Sequence, residues 1–280
     1  MKIGLVMEGG AMRGLFTAGV IDVLMENQIT FDGAIGVSAG AAFGCNFKSR
    51  QIGRVIRYNT KYCRDPRYGS FRSLLKTGDI YSKEFAYGEL PNVLDPFDTK
   101  AFSENPMEFY VVATEAETGQ ARYFDKAHIR QDDYNIMKAS SALPFACKPY
   151  PIGGTVYYDG ALGDPVPIEK AFQLGCDRVV LLLTKPVNVL RSPKKDEKVA
   201  ACIRRAYPAA AQKLCQRAQR YNESVALARM RARQGKVLIV APEDTCGVDT
   251  LTKDKQALRR LYEMGYADGK KITDYLSKGR

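Results

Sequence analysis

Short apolar runs and stretches of helical spacing alternate through the first two thirds of the chain. That alternation limits the fold more than any other feature. Lys2 to Met7 is a strand, and Phe16, Val20, Val23 and Leu24 stand at helical spacing within Arg13 to Asn27. Phe31 to Val37 is a second strand, followed by a helix of small residues from Ala39 to Phe47. Glu108 to Thr114 (EFYVVAT) reads as a strand with Ala121 to Phe124 as its hairpin partner around Thr118-Gly119. A helix over Asp132 to Leu143 ends at Pro144, Thr155 to Tyr158 is another strand, and Gly175 closes a helix over Ile168 to Leu174. Arg178 to Thr184 (RVVLLLT) lacks polar alternation and suits a strand buried on both faces.

This order predicts an α/β fold of three layers, α/β/α, with a mainly parallel central sheet and helices on both faces. In such a sheet the functional site lies at the carboxyl ends of the strands. After Thr184 the texture changes. A charged, Pro-containing stretch from Lys185 to Lys195 leads into a long helical region to Arg233, then a strand at Val237 to Val240 and a terminal helix from Thr252 to Leu276.

Two glycine motifs fall where those strand ends would be. Gly36-Val37-Ser38-Ala39-Gly40 has the form GxSxG between a strand and a helix, the setting of a nucleophile elbow. There a serine sits in a tight, strained turn near a helix amino terminus, whose dipole favours developing negative charge. The plainer alternative is a turn in which Gly36 and Gly40 serve packing. Glu8-Gly9-Gly10-Ala11-Met12-Arg13-Gly14, after the first strand, exposes backbone amides that could cradle phosphate or act as an oxyanion hole. It lacks the GK[ST] of a P-loop, and Ala11 occupies the second glycine of a dinucleotide fingerprint. Beside a serine nucleophile the oxyanion hole is the better reading.

A serine nucleophile needs a base. The chain has one histidine, His128, in the polar stretch Asp125-Lys126-Ala127-His128-Ile129-Arg130, where a surface position is the simpler expectation. One imidazole also excludes a multi-histidine metal site. The other candidate is Asp159, in Tyr157-Tyr158-Asp159-Gly160-Ala161, after a short aromatic strand. Partial burial beside tyrosines would raise its pKa and its basicity. An Asp-Gly turn is the alternative there.

GGAMRG (Gly9 to Gly14), GVSAG (Gly36 to Gly40) and DGA (Asp159 to Ala161), in that order, resemble the patatin-like phospholipases, specifically their bacterial members. Ala139-Ser140-Ser141-Ala142-Leu143-Pro144 also resembles the segment before that family's third motif. The resemblance covers residues 3–185 and implies a patatin-like catalytic domain there; the residue pattern alone reads 186–280 as a basic, mainly helical region with one strand, packed on that domain. The resemblance implies Ser38 as nucleophile and Asp159 as proton acceptor, a dyad without histidine. It also implies an oxyanion hole in the loop of Gly9, Gly10, Ala11, Arg13 and Gly14, and needs neither metal nor cofactor. The implied reaction is hydrolysis of a lipid carboxylic ester through an acyl-enzyme. Two residues depart from the family pattern. Glu8 stands for the more usual aspartate and Ala11 for a third glycine, which lowers the loop's φ freedom.

Charge and cysteine usage narrow the partners and the compartment. The formal charge is +11, with 42 Lys and Arg against 31 Asp and Glu. Lys48 to Lys76 holds nine basic residues against Asp65 alone, and Arg191 to Arg233 holds twelve against Asp196, Glu197 and Glu223. Outside those segments the chain is net acidic. Arg54, Arg57, Lys61 and Arg64 recur at helical spacing with Ile56, Tyr58 and Tyr62 between them. A solvated face, peripheral contact with an anionic membrane and recognition of a phosphate are all open, and nucleic acid is the weakest fit. In the second segment Leu214, Ala218, Tyr221, Val225 and Ala228 form a stripe that suits packing on the chain's own domain. Seven cysteines stand singly, with no CxxC pair, as reduced thiols would. The amino terminus reads as a first strand and not a signal peptide, because Glu8 and glycines interrupt it far short of the roughly 20 apolar residues of a span. The cytoplasm is the default, with peripheral contact at the inner face of the membrane as the further option. A lipid or acyl-ester substrate follows, with a non-catalytic lipid- or anion-binding protein, or a carboxylesterase, thioesterase or acyltransferase, as alternatives. Neither acyl length, headgroup nor oligomeric state follows from the sequence.

Overall fold

Leu5 and Met7 face one side of the first strand and Val6 the other, and both sides are buried. A strand apolar on both faces has to lie inside a sheet covered on both sides. The computed structural model, which describes residues 1–70, 73, 75, 78–144 and 146–277, builds that sheet. Its strands are β1 (Ile3–Met7), β2 (Gly33–Val37), β3 (Glu108–Glu115), β4 (Ala121–Phe124), β5 (Tyr150–Ile152), β6 (Thr155–Asp159), β7 (Arg178–Leu182) and β8 (Val237–Val240). They run in the order β5-β6-β3-β2-β1-β7-β8, with β4 also paired to β3. From β3 to β8 all neighbours are parallel, whereas β4 and β6 run against β3.

Helices α1 (Leu15–Glu26), α2 (Ala39–Lys48), α3 (Arg54–Tyr62), α4 (Phe85–Leu94, wound as a π-helix), α5 (Thr99–Glu104) and α6 (Asn135–Ser140) follow in chain order. The rest are α7 (Ile168–Gln173), α8 (Lys194–Ile203), α9 (Pro208–Arg233) and α10 (Lys255–Ser277). On one face α1, α2, α3 and α10 cover Leu5, Met7, Phe109, Val180 and Leu182. On the other, α7 and α9 cover Val6, Ile35, Val179 and Leu181. This is the expected three-layer α/β/α arrangement with a mainly parallel sheet. The hairpin of β3 and β4 forms as read from the sequence. The helix expected over Asp132 to Leu143 is shorter, Asn135–Ser140, while β5 and the helices between residues 85 and 104 gave no clear pattern.

The carboxyl-terminal region joins the same sheet through β8, paired with β7 from Val179↔Val237 to Leu182↔Val240. α10 lies hard against α1. A Cβ on Gly19 would stand 2.0 Å from the Tyr262 carbonyl oxygen, and one on Gly265 2.0 Å from that of Phe16, so these glycines let the two backbones meet. Asp22 of α1 ties the pair with a hydrogen bond from Tyr262 (2.8 Å) and accepts another from the Gly53 amide (3.1 Å). α9 turns Leu214, Ala218, Tyr221, Val225 and Ala228 inward, which accounts for that stripe as packing within the chain. Among the described residues no helix is long and apolar enough to cross a membrane.

Candidate active site

The registers on β3 determine where the motifs meet. Residues 111 and 112 pair with β2 and β4 at once, and residues 113 and 114 with β4 and β6 at once. β2 and β6 must therefore share one edge of β3, since a strand has only two. β2 runs with β3 and stops at Val37 opposite Val112; β6 runs against it and stops at Asp159 opposite Ala113. The carboxyl ends of two strands, separated by more than a hundred residues of chain, arrive head to head.

Ser38 follows Val37 directly and turns into α2 with φ +53° and ψ −120°, a conformation side-chain-bearing residues seldom adopt. Such strain persists only where the surroundings enforce it. The Ser38 amide donates to the Ser140 hydroxyl at 2.8 Å, and its carbonyl accepts from Ala41 and Ala42 at 3.0 Å. A Cβ at Gly36 would lie 2.5 Å from the Ala41 Cα, and one at Gly40 2.3 Å from the Met7 carbonyl oxygen. Both glycines are required by the closeness of β1, β2 and α2.

Asp159 is fully buried. Its amide donates to the Ala142 carbonyl (2.9 Å), its carbonyl accepts from the Thr114 hydroxyl (2.8 Å), and Oδ1 accepts from the Ala161 amide (2.8 Å). Oδ2 is buried without a hydrogen-bond partner. Burial pushes the carboxyl above the usual carboxylate range, and the Ser38 hydroxyl, ahead of the Ala161 amide, pulls it back. Gly160 admits the turn, because a Cβ there would meet the Val112 carbonyl at 2.3 Å. Ala161 contributes the amide that fixes Oδ1.

The first glycine loop closes over the same point. A Cβ on Gly9 would stand 3.0 Å from the Ser38 Cβ, and one on Gly10 2.5 Å from the Thr184 hydroxyl. Ala11 takes φ +48°, where a glycine would be at ease, and opens a 3₁₀ turn (Ala11–Gly14). The Arg13 amide closes that turn on the Gly10 carbonyl at 3.1 Å, so the Gly10 and Ala11 amides precede its hydrogen-bonded ladder. Gly14 and Arg13 serve other contacts: Gly14 packs under Phe43, and Arg13 turns away to an ion pair with Asp249 (3.0 Å). The loop between β8 and α10 thus reaches the glycine loop.

Glu8 is buried too, with Oε2 accepting from the Thr184 amide at 2.7 Å. Burial raises its pKa, opposed by that hydrogen bond and by Arg13, Lys185 and Arg191. His128 lies elsewhere, half-exposed in a surface turn with Nδ1 2.9 Å from Asp125 Oδ1. Sequence reasoning missed Ser140, which holds the Ser38 amide, and Tyr87, whose hydroxyl donates to Ser141 at 2.8 Å. The only signal for Ser140 and Ser141 was their place in the segment before the DGA motif. Among the described residues no three His, Cys, Asp or Glu side chains gather as metal ligands would.

Ser38 opens onto a cavity of about 140 Å³, walled mainly by apolar and aromatic side chains of α2, α3, α4 and α6. Its lining includes Arg54, Lys83 and Lys138 and no carboxylate among the described residues. The helical row of cations needs correcting here. Arg54 is 4% exposed and points inward to Asn46 and Asp95, Lys48 is buried, and Arg57 and Arg67 are paired with Asp95 and with Asp65 and Glu89. Arg72 and Lys76 lie outside the described residues.

A family model described as patatin-like phospholipase matches residues 5–172. The chain belongs to the patatin-like phospholipase family. A second model, described as a domain of unknown function (DUF6363), matches residues 207–278 of this patatin-like chain. The uncharacterised protein YjjU of Escherichia coli K12 is 31% identical over 212 residues, 69% of this chain and 55% of YjjU. The uncharacterised NTE family protein Rv1063c of Mycobacterium tuberculosis is 21% identical over 64% of this chain and 48% of its own length. Lysophospholipase nte1 of Emericella nidulans is 26% identical over 62% of this chain and 11% of its own length. The chain spans about half the length of the two bacterial relatives.

Proposed function

We propose that this patatin-like chain is a serine acyl hydrolase of the phospholipase A type that cleaves lipid carboxylic esters with a Ser38-Asp159 dyad. The supporting observation is the head-to-head arrival of β2 and β6 on one edge of β3. It sets a strained serine beside a buried carboxylate with an unpartnered oxygen. Asp159 accepts the Ser38 proton as Ser38 Oγ attacks the ester carbonyl. The Gly10 and Ala11 amides receive the oxyanion, and the alcohol leaves with the proton returned by Asp159. Asp159 then takes a proton from water as the water oxygen attacks the acyl carbonyl, and returns it to Ser38 Oγ as the acyl–Oγ bond breaks and the carboxylic acid leaves. Gly9 and Gly14 give the loop its closeness, and Arg13 anchors it through Asp249. No cofactor takes part.

A lipid or acyl-ester substrate fits the mainly apolar cavity at Ser38, while the paired and buried cations of Lys48 to Lys76 reduce the surface left for an anionic membrane. Residues 3–185 form the catalytic domain in this reading, and 186–280 pack on it and buttress the glycine loop through Asp249. Work at the cytoplasmic face of the membrane suits such a substrate. Release of p-nitrophenol from a medium-chain ester by wild type, and its loss in Ser38→Ala at unchanged fold, tests the assignment. Retained turnover in Ser38→Ala would sink it.

A further inference from the structure

The cavity at Ser38 runs beside α2 and carries buried charge in its wall. Ser38, Ala39, Ala42, Phe43 and Cys45 line it from one face of α2, so it follows that helix away from the serine. From Ser38 to Cys45 the helix advances about 10 Å. One residue further, Asn46 accepts a hydrogen bond from Arg54 Nη1 at 2.8 Å, which brings the buried guanidinium to the wall beside that end of α2. Arg54 cannot easily leave. Its Nε donates to the Asp95 carbonyl at 3.1 Å, it lies 3.4 Å from the Asp95 carboxylate, and the rings of Tyr58 and Phe97 flank it at 5.3 and 5.5 Å.

We propose that this cavity is an acyl ruler closed by Arg54, which makes the enzyme selective for esters of medium-chain acids of about six to eight carbons. A staggered chain advances roughly 1.25 Å per carbon, so about eight carbons span the distance from Ser38 to the guanidinium. The volume of about 140 Å³ agrees. A dry cavity of about 150 Å³ takes a ligand the size of benzene, with six carbons. A longer chain would have to part a buried, paired arginine from its partners, a cost well above what one more buried methylene returns. Arg54 here is a specificity determinant and stands away from the reacting atoms.

The inference builds on the hydrolase reading, and its test separates the two. For wild type, Arg54→Met and Ala42→Phe, kcat/KM is measured on p-nitrophenyl esters of 2 to 16 carbons, and in parallel the affinity for the free saturated fatty acids of the same lengths. Arg57 still holds Asp95 bidentately at 2.8 Å in Arg54→Met, which favours a folded variant, and Ala42→Phe, about one helical turn from Ser38, is an independent block. In wild type both profiles peak at six to eight carbons and fall at least tenfold by 16. Arg54→Met moves the peak to longer chains, and Ala42→Phe moves it to four carbons or fewer. Profiles that climb steadily to 16 carbons, or that neither variant shifts, overturn the ruler. Esters left intact while acid affinity still peaks at medium length and shifts with the variants would overturn the hydrolase reading and leave the ruler standing.

Discussion

Glu8 and Asp159 are both buried carboxylates at the carboxyl ends of strands in one sheet, and burial raises the pKa of both. They differ in what surrounds them. Glu8 receives the Thr184 amide at 2.7 Å, with Arg13, Lys185 and Arg191 offsetting part of the effect of its burial, so its carboxyl is tied into the backbone of the neighbouring strand end. Asp159 has one oxygen held by Ala161 and the other without a partner, with a serine hydroxyl as the leading group that offsets its burial. Burial alone therefore does not mark a base. An oxygen kept free, next to a hydroxyl that can fill it, does.

The largest expected effect removes the hydroxyl: Ser38→Ala lowers kcat/KM at least about 10³-fold in an ester assay, with thermal unfolding unchanged within a few degrees. Asp159→Asn gives a similar loss and also stabilises the protein. A carboxyl whose pKa is higher folded than unfolded contributes stability below its unfolded value of about 4, and that contribution is lost as pH rises through the folded value. At neutral pH the amide relieves the penalty, and each kcal/mol recovered raises the melting midpoint by roughly 2 to 3 °C. The same shift predicts that wild-type kcat/KM falls as pH is lowered through the raised Asp159 pKa, because the base must be ionised. A midpoint that drops in Asp159→Asn would contradict the contrast with Glu8.

Glu8 responds differently to the two obvious changes. Glu8→Ala leaves the buried Thr184 amide without its acceptor and costs about 1 to 3 kcal/mol by denaturant unfolding. Glu8→Gln keeps an acceptor for Thr184 and holds turnover within about tenfold of wild type, as positioning and not proton transfer requires. The smallest effect belongs to His128→Ala, under about twofold in kcat/KM, since its imidazole bonds to Asp125 in a surface turn. A loss near that of Asp159→Asn would restore a histidine base.

The parts of the site legible in the sequence are those with a local cause. Gly36 and Gly40 announce a tight strand-to-helix turn because a Cβ would strike the backbone beside it, and Asp159-Gly160 announces a strand end in the same way. The strand and helix periodicities carry the three-layer fold because each element buries a face. What stayed hidden depends on distant pairing. Nothing local says that β6 joins the edge of β3 vacated by β2, or that Ser140 reaches the Ser38 amide. Helical spacing put Arg54 in a row with Arg57, Lys61 and Arg64, but its partner Asp95 lies 41 residues away and draws it inward. The π-helix with Pro91 inside it, which walls the cavity through Leu90 and Tyr87, follows no simple period.

Covalent labelling tests the central claim most directly. A fluorophosphonate reacts only with an activated serine, and peptide mapping locates the adduct. One label per chain at Ser38, lost in Asp159→Asn although that variant is folded and more stable, is the predicted result. Label on another residue, or undiminished labelling of Ser38 in Asp159→Asn, would contradict the dyad.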